Sequence, residues 1–413
     1  MDIGQHSLPH LSYFEALAGM EEGSSEWRET TAGLVTLRLV DSWVSEGPAV
    51  VASEGWSLRA VREAIQRMDR GSSIRTILSS LVDTMQSLRV VRITTLAPRL
   101  MAYARALMFE ARWELAADVH RTIIAYAHPT EDADVVIDAN MQLGACLRTM
   151  ARWQDAAAAY SVAGHIATMT GDMVNVLRSR VSEANIAIDR GNLPHAEAIL
   201  EETITRTGTV PAFAETRALA LHARAHVAHL RKDYERAVQL GHEALAGTKT
   251  QTARDRVLVD IATSFTELGV RSAARDAYLI LAATAQEQYT RWVAQINLME
   301  LAALDGQQTV FEEHRRELST AILPASLSAY YFLYVAQGYR TFDRDRAAEA
   351  ALSRAVEIAS ANNLNQVLFQ AEQTLEEIRG GRAPRRPVES VEPSQTAMPV
   401  AAAIREMREL AGV

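Results

Sequence analysis

The stretch "MARWQDAAAAY", Met150 to Tyr160, has a near copy upstream in "EARWELAADVH", Glu110 to His120. Both contain Ala-Arg-Trp, and in both an Ala stands three residues after the Trp. Trp113 and Trp153 are 40 residues apart, as are Ala111 and Ala151, and Ala116 and Ala156. The interval extends in both directions. A small residue recurs at Gly71, Ala111, Ala151 and Gly191, and five residues later stand Thr76, Ala116, Ala156 and Ala196. Ala237 and Ala274 continue the second series after 41 and 37 residues. Chance could supply one such pair but not a ladder of six rungs. A fixed period of 20 to 50 residues marks a stacked array, in which no unit can bury its apolar face without neighbours.

Each unit reads as two helices. In one unit Met141, Leu143 to Ala145, Leu147 and Met150 recur at helical spacing, and Trp153, Ala156, Ala157, Tyr160 and Ala163 do so again. Between units fall "AHPTEDAD" (Ala127–Asp134), "TGDM" (Thr170–Met173), "TGTVP" (Thr207–Pro211) and "AGTKTQT" (Ala246–Thr252). These carry Gly and Pro to end helices, and Thr and Asp to cap new ones. An Ala or Gly at the crossing lets the two axes approach to about 8 Å. The Trp is then expected to fill the wedge where the pair opens. The fold class is therefore all-α, a solenoid of stacked antiparallel helix pairs.

The pattern resembles the tetratricopeptide repeat. One unit matches at Leu143, Gly144, Leu147, Ala151, Trp153, Ala156, Tyr160 and Ala163, and the unit before it at Ala104, Leu107, Ala111, Trp113 and Ala116. Later units match at Gly191, Leu193, Ala196 and Leu200, then at Ala225, Tyr234, Ala237 and Ala244, then at Ala262, Phe265, Gly269, Ala274 and Tyr278. The usual repeat has 34 residues, so these units carry about six more. The unit after Gly306 has Phe311 where a small residue is expected, and the last matches only at Ala348, Leu352 and Ala355. The resemblance implies a right-handed superhelix over residues 96–379. Residues 1–95 form an N-terminal helical segment with room for one degenerate repeat. "RGGRAPRRPVESVEPSQTAMP" (Arg379–Pro399) has no apolar period, so 380–398 reads as a flexible linker. In 399–413, Val400, Ala403, Ile404, Met407 and Leu410 make the apolar stripe of a short helix expected to dock on an apolar surface, its own or a partner's.

Composition removes several function classes. The chain has one cysteine, Cys146, so no intramolecular disulfide can form. No apolar run approaches the ~20 residues of a membrane helix. The N-terminus lacks a basic region followed by an apolar one, so the expected location is cytoplasmic. A net charge of −9 argues against nucleic acid as the main partner. No phosphate-binding loop, zinc-protease motif or nucleophile elbow is present. The chain is read as no enzyme, with no cofactor and no metal.

One constellation stands out. His222, His226 and His229 are spaced 4 and 3 apart, on one face of one helix. His222 and His229 lie about 10 Å apart along the axis, too far to share one ion. They are either polar residues of a solvated face or binding contacts. In the resembled family the first helix of each unit lines a groove. Carried over by position, that lining is Met101, Arg105 and Met108, then Met141 and Arg148, then Arg178, Val181, Asn185 and Ile188, then the three histidines. Asn185 is preceded by Val181 where the family's clamp for peptide carboxyl ends has a Lys four residues earlier, so chaperone tails are not implied. The resemblance implies a scaffold or adaptor that binds a protein or peptide segment, an acidic one given this lining. The alternative is a peptide-responsive bacterial transcription or signalling regulator whose N-terminal helices, with Arg59, Arg62, Arg67, Arg70 and Arg75, form the output domain.

Overall fold

The computed structural model describes residues 8–46, 56–87, 92–321, 323–362, 364–381 and 390–413. The chain divides into two units, Met1–Ile199 and Leu200–Val413. Among the described residues are twenty α-helices and no strand. The first unit holds α1 (Leu11–Ala18), α2 (Ser25–Glu46), α3 (Trp56–Gln66), α4 (Ser73–Ser87), α5 (Ile93–Phe109), α6 (Trp113–Tyr126), α7 (Ala133–Thr149), α8 (Trp153–Thr170), α9 (Met173–Asp189) and the start of α10 (Leu193–Thr207). The second holds α11 (Ala214–Leu230), α12 (Tyr234–Gly247), α13 (Gln251–Glu267), α14 (Arg271–Thr284), α15 (Gln288–Leu304), α16 (Gln308–Ser319), α17 (Ala325–Thr341), α18 (Asp345–Ala361), α19 (Asn365–Arg379) and α20 (Met398–Ala411). Within each unit successive helices pack side by side as pairs, for example α7 with α8 and α11 with α12. No described helix is long and apolar enough to cross a membrane.

The periodicity begins in the backbone. Helices α5, α7, α9, α11, α13, α15 and α17 each have 17 residues. Each ends in a turn through one left-handed residue: Ala111, Ala151, Gly191, Lys232, Gly269, Gly306 or Asp343, with φ between 56° and 77°. The next N–H then donates to the carbonyl five residues back, as Arg112 does to Leu107 at 2.9 Å and Gln307 to Ala302 at 2.8 Å. This satisfies carbonyls that the helix end would leave unpaired.

The two sequence ladders therefore have different causes. Ala116, Ala156, Ala196, Ala237 and Ala274 are buried and occupy the helix interface. Ala111, Ala151 and Gly191 are exposed at the left-handed turn, where only glycine escapes the Cβ penalty and no packing limits side-chain size. That is why Lys232 and Asp343 can stand at the same point, where packing would refuse their bulk. The hairpin of α3 and α4 does not share the phase expected of it. Gly71 is not left-handed, and Thr76 is exposed where its counterparts are buried.

The tryptophans also differ from expectation. Trp113 and Trp153 are only half-buried, at the first position of their helices. Tyr160 does the filling instead: a Cβ on Gly144 would stand 2.5 Å from its ring. The irregular unit after Gly306 follows the same rule in reverse. Phe311 is fully buried, and the facing position on α17 is Gly338, where a Cβ would press into the Phe311 ring. A large residue at the small position is matched by a missing side chain opposite.

Both ends are tied down. At the N-terminal end of α1, His10 is buried. Its Nδ1 donates to Asp118 on α6 and its Nε2 to Asp41 on α2, both at 2.8 Å. Two donated bonds require the imidazolium. At the other end, α20 packs on α14 and α12, burying Val400, Ala401 and Ile404. Arg408 reaches Asp276 at 2.7 Å. Ahead of it, Val391 N–H donates to the Gly269 carbonyl at 3.0 Å and Thr396 to Glu235 at 2.6 Å. The tail thus docks on its own chain, on second helices and not on the first-helix face. Residues 382–389 of the expected linker, and the first seven residues of the chain, lie outside the described residues.

Two outcomes follow from this packing. Gly338→Ala should destabilise the second unit by about 1–3 kcal/mol through overpacking, and Phe311→Leu in the same chain should restore part of the loss in chemical denaturation. The second outcome concerns His10. Burial alone pushes its imidazole down, but the hydrogen bonds and charges of Asp118 and Asp41 outweigh this and hold it at about 9. Its contribution is complete below the ordinary value of about 6.5 and is lost as pH rises through about 9. The melting temperature of His10→Gln should therefore lie below wild type at pH 6 and converge on it by pH 10; a gap that stays constant with pH would assign the His10 effect to shape alone.

Candidate functional site

Because the first helices share one length and one closing turn, their residues can be aligned by position. Arg105, Asn185 and His226 are all thirteenth in their helices, and Arg148 and His229 are sixteenth. His222 is ninth and Arg178 is sixth. The polar members reach the surface: Arg105 and His226 are exposed, and Arg148, Arg178, Asn185, His222 and His229 are half-buried. Their apolar companions Met141, Val181 and Ile188 are buried. Met101 and Met108 lie between these extremes.

In the first unit, Arg148 bridges from α7 to Asp189 on α9 at 2.7 Å. Arg178 donates to Asn175 at 3.2 Å, which in turn donates to Asp172 at 2.6 Å. Burial raises the nearby Asp138 carboxyl, and the Arg178 charge offsets part of the rise. Behind Arg105, His120 is fully buried, and neither of its ring nitrogens has a hydrogen-bond partner among the described residues. Burial first, and then the Arg105 charge, push this imidazole down to about 4, so it is neutral at physiological pH.

In the second unit, the histidines of α11 reach across to α13. His222 Nε2 donates to Asp260 Oδ2 at 2.6 Å. His229 Nδ1 lies 2.9 Å from the Ser264 hydroxyl, which already donates its proton to the Asp260 carbonyl at 2.8 Å. A hydroxyl has one proton, so His229 is the donor through Nδ1, and its neutral form offers Nε2 as an acceptor. The edge of Tyr234 packs on the same ring, with centroids 5.2 Å apart. Between the helices lies a small cavity of about 130 Å³ edged by His226, His229, Asp260, Thr263 and Ser264. His226 and His229 share this cavity, while His222 stands one turn away, held by Asp260. No group of three His, Cys, Asp or Glu among the described residues could hold a metal ion.

Asp260, Thr263 and Ser264 were not among the residues expected from the sequence. They stand one unit after the histidines, at 34 to 38 residues, so the repeat interval is the signal that finds them. The same register points to Glu300, thirteenth in α15. Burial first, and then the Glu267 charge, raise its carboxyl to about 7. Tyr334 on α17, beside Glu300, has its phenol raised well above the usual range, by burial first. Tyr330 stacks at a tilt on Tyr334 at 6.1 Å. This face therefore changes along the second unit from imidazole to carboxyl and phenol.

No protein-family model matches the sequence, and no curated protein matches it. Solved structures with a similar arrangement of helices include three. A Rap protein complexed with Competence and Sporulation Factor is 14% identical, with a TM-score of 0.46 over 87% of this chain and 99% of that one. The apo quorum sensor NprR from B. thuringiensis is 12% identical, with a TM-score of 0.48 over 84% of this chain and 91% of that one. BtubC (BKLC) from P. vanneervenii is 15% identical, with a TM-score of 0.39 over 50% of this chain and 88% of that one. At such identity no residue role passes from them to this chain.

Glu300 gives this face a pH signature. Between the ordinary carboxyl value near 4.5 and about 7, the folded state holds a proton that the unfolded state has released, so wild-type stability falls as pH rises through that window. Glu300→Gln should match wild type at pH 4.5 and exceed it in melting temperature at pH 8. Equal melting curves at both pH values would show that the ionised carboxylate is well solvated.

Proposed function

We propose that this chain is a non-enzymatic scaffold or regulator that binds a protein or peptide segment along the first-helix face. The contacts would be Arg105, Arg148, Arg178 and Asn185 in the first unit and His222, His226 and His229 in the second. The observation that carries this reading is the cavity between α11 and α13. There, imidazole, hydroxyl and carboxylate groups from two helices converge on a space large enough for a side chain, with His226 exposed at its edge. Repeat arrays present their binding surfaces in this way, as successive helices contributing equivalent positions. The protein would work by holding its partner, and the location consistent with this reading is the cytoplasm.

An acidic segment suits the exposed Arg105. Arg148 and His222 already face Asp189 and Asp260, so an incoming carboxylate at those points would exchange one acid for another and gain little. The acidic preference then rests on fewer groups than the count of basic residues suggests. A regulator whose N-terminal helices carry an output would use the same peptide contacts, and differs only in what the first unit does.

The test is fluorescence anisotropy of the full chain with synthetic peptides of matched length, in acidic, neutral and basic sets, at fixed salt. Acidic peptides should bind best, and Arg105→Gln and His226→Gln should each weaken them about three- to tenfold, an ordinary span for one exposed polar contact. If no peptide of any charge binds, or if both variants bind as wild type does, the proposal fails.

A further inference from the structure

A second cavity lies in the first unit. Between α4 and α5 is a solvent-open cleft of about 610 Å³. Its wall is polar. Arg70 and Arg75 stand at one end of α4, Arg99 enters from α5, and α4 supplies a row of hydroxyls that includes Thr76, Ser79 and Ser80. The spacing of these hydroxyls, three to four residues, places them on one face of the helix.

Two of the arginines are fixed through single N–H groups. Arg75 donates Nη1 to the Met68 carbonyl at 3.0 Å, and Arg99 donates Nε to the Ser80 hydroxyl at 3.2 Å. A guanidinium carries five donors, so each keeps others for a ligand while its position is set. Ser80, accepting from Arg99, retains its own proton to donate. The cavity also contains Asp83, whose charge is met from α3 by Arg62 at 2.8 Å. With that pair counted as neutral, three positive charges remain around the space. This is a large local excess for a chain of net charge −9.

We propose that this cavity binds an anion carrying two or more phosphoryl groups. Guanidinium forks match phosphoryl oxygens in geometry and charge, and hydroxyl donors on the wall complete the set. A single carboxylate would leave most of the three charges unanswered. A linked pair or triplet of phosphoryl groups can reach several of them at once. The source is either an inorganic polyphosphate or the phosphate chain of a nucleotide, and the two share this chemistry.

The experiment is isothermal titration calorimetry of the full chain with pyrophosphate, with a nucleoside triphosphate and with sulfate, all at matched ionic strength. Saturable binding of one pyrophosphate per chain is expected, weaker by about tenfold in Arg70→Gln and in Arg99→Gln. Ser80→Ala, which removes the Arg99 anchor without a change of charge, should weaken it less. Arg354→Gln on the second unit should leave it unchanged, and melting curves confirm that each variant is folded. A triphosphate that binds much more tightly than pyrophosphate would assign the nucleotide source, and equal affinity the inorganic one. The proposal is overturned if pyrophosphate and triphosphate give no saturable heat, if sulfate binds equally well, or if Arg70→Gln and Arg99→Gln bind like wild type. Salt-sensitive retention of duplex DNA without pyrophosphate binding would overturn it in favour of a nucleic-acid surface.

Discussion

The left-handed turn that closes each first helix is the constraint on which the rest depends. One residue with positive φ, followed by an N–H that reaches five residues back, ends the helix at a fixed point and sets the direction of the next one. From Ala111 to Asp343 this happens seven times, at intervals of 40, 40, 41, 37, 37 and 37 residues. Because the helix length before the turn is constant, equivalent positions on successive first helices come into register. That register makes it meaningful to compare Arg105 with Asn185, and His226 with Glu300. Without it the polar residues of these helices would be scattered points.

Packing between helices then works by complementary size. Tyr160 lies against Gly144, Phe311 against Gly338, and Ile261 against Gly241. In each case one helix gives up a side chain so that its neighbour can insert a large one, the arrangement that close packing requires. The rule does not demand that a given position be small; it demands that the sum across the contact be constant. The unit after Gly306 looks degenerate only when one side of the contact is read. With Gly338 included it is an ordinary unit with the sizes exchanged.

On the first-helix face, the charges are balanced locally. Arg148 meets Asp189 and His222 meets Asp260, in both cases one unit further along. An array that repeats its backbone also repeats the neighbourhoods in which such pairs form. A basic residue in one unit is therefore within reach of whatever the next unit carries at a nearby position. The face is less basic than a list of its Arg and His residues implies, and it becomes carboxylic and phenolic towards Glu300 and Tyr334.

The sequence by itself determined the helical class, the paired units, their interval and the face on which His222, His226 and His229 lie. All of these follow from local periodicity, which a chain carries wherever it folds. It could not separate a small residue that packing requires from one that merely stands at an exposed turn, so Ala111 and Ala156 looked alike although only Ala156 lies in the interface. It misjudged Trp153, because apolar character does not reveal that the first position of a helix sits at the edge of the pair. It left open where the C-terminal helix docks, since an apolar stripe fits any apolar surface. Only the tertiary structure seated Val400 and Ile404 on α14 and α12, and gave Asp276 its partner Arg408. The tertiary structure also brought Arg99 beside Ser80, and Asp260 and Ser264 beside the histidines. Those meetings depend on how far one helix lies from the next, and that distance is set by the summed volumes at the crossing, not by any single residue in the sequence.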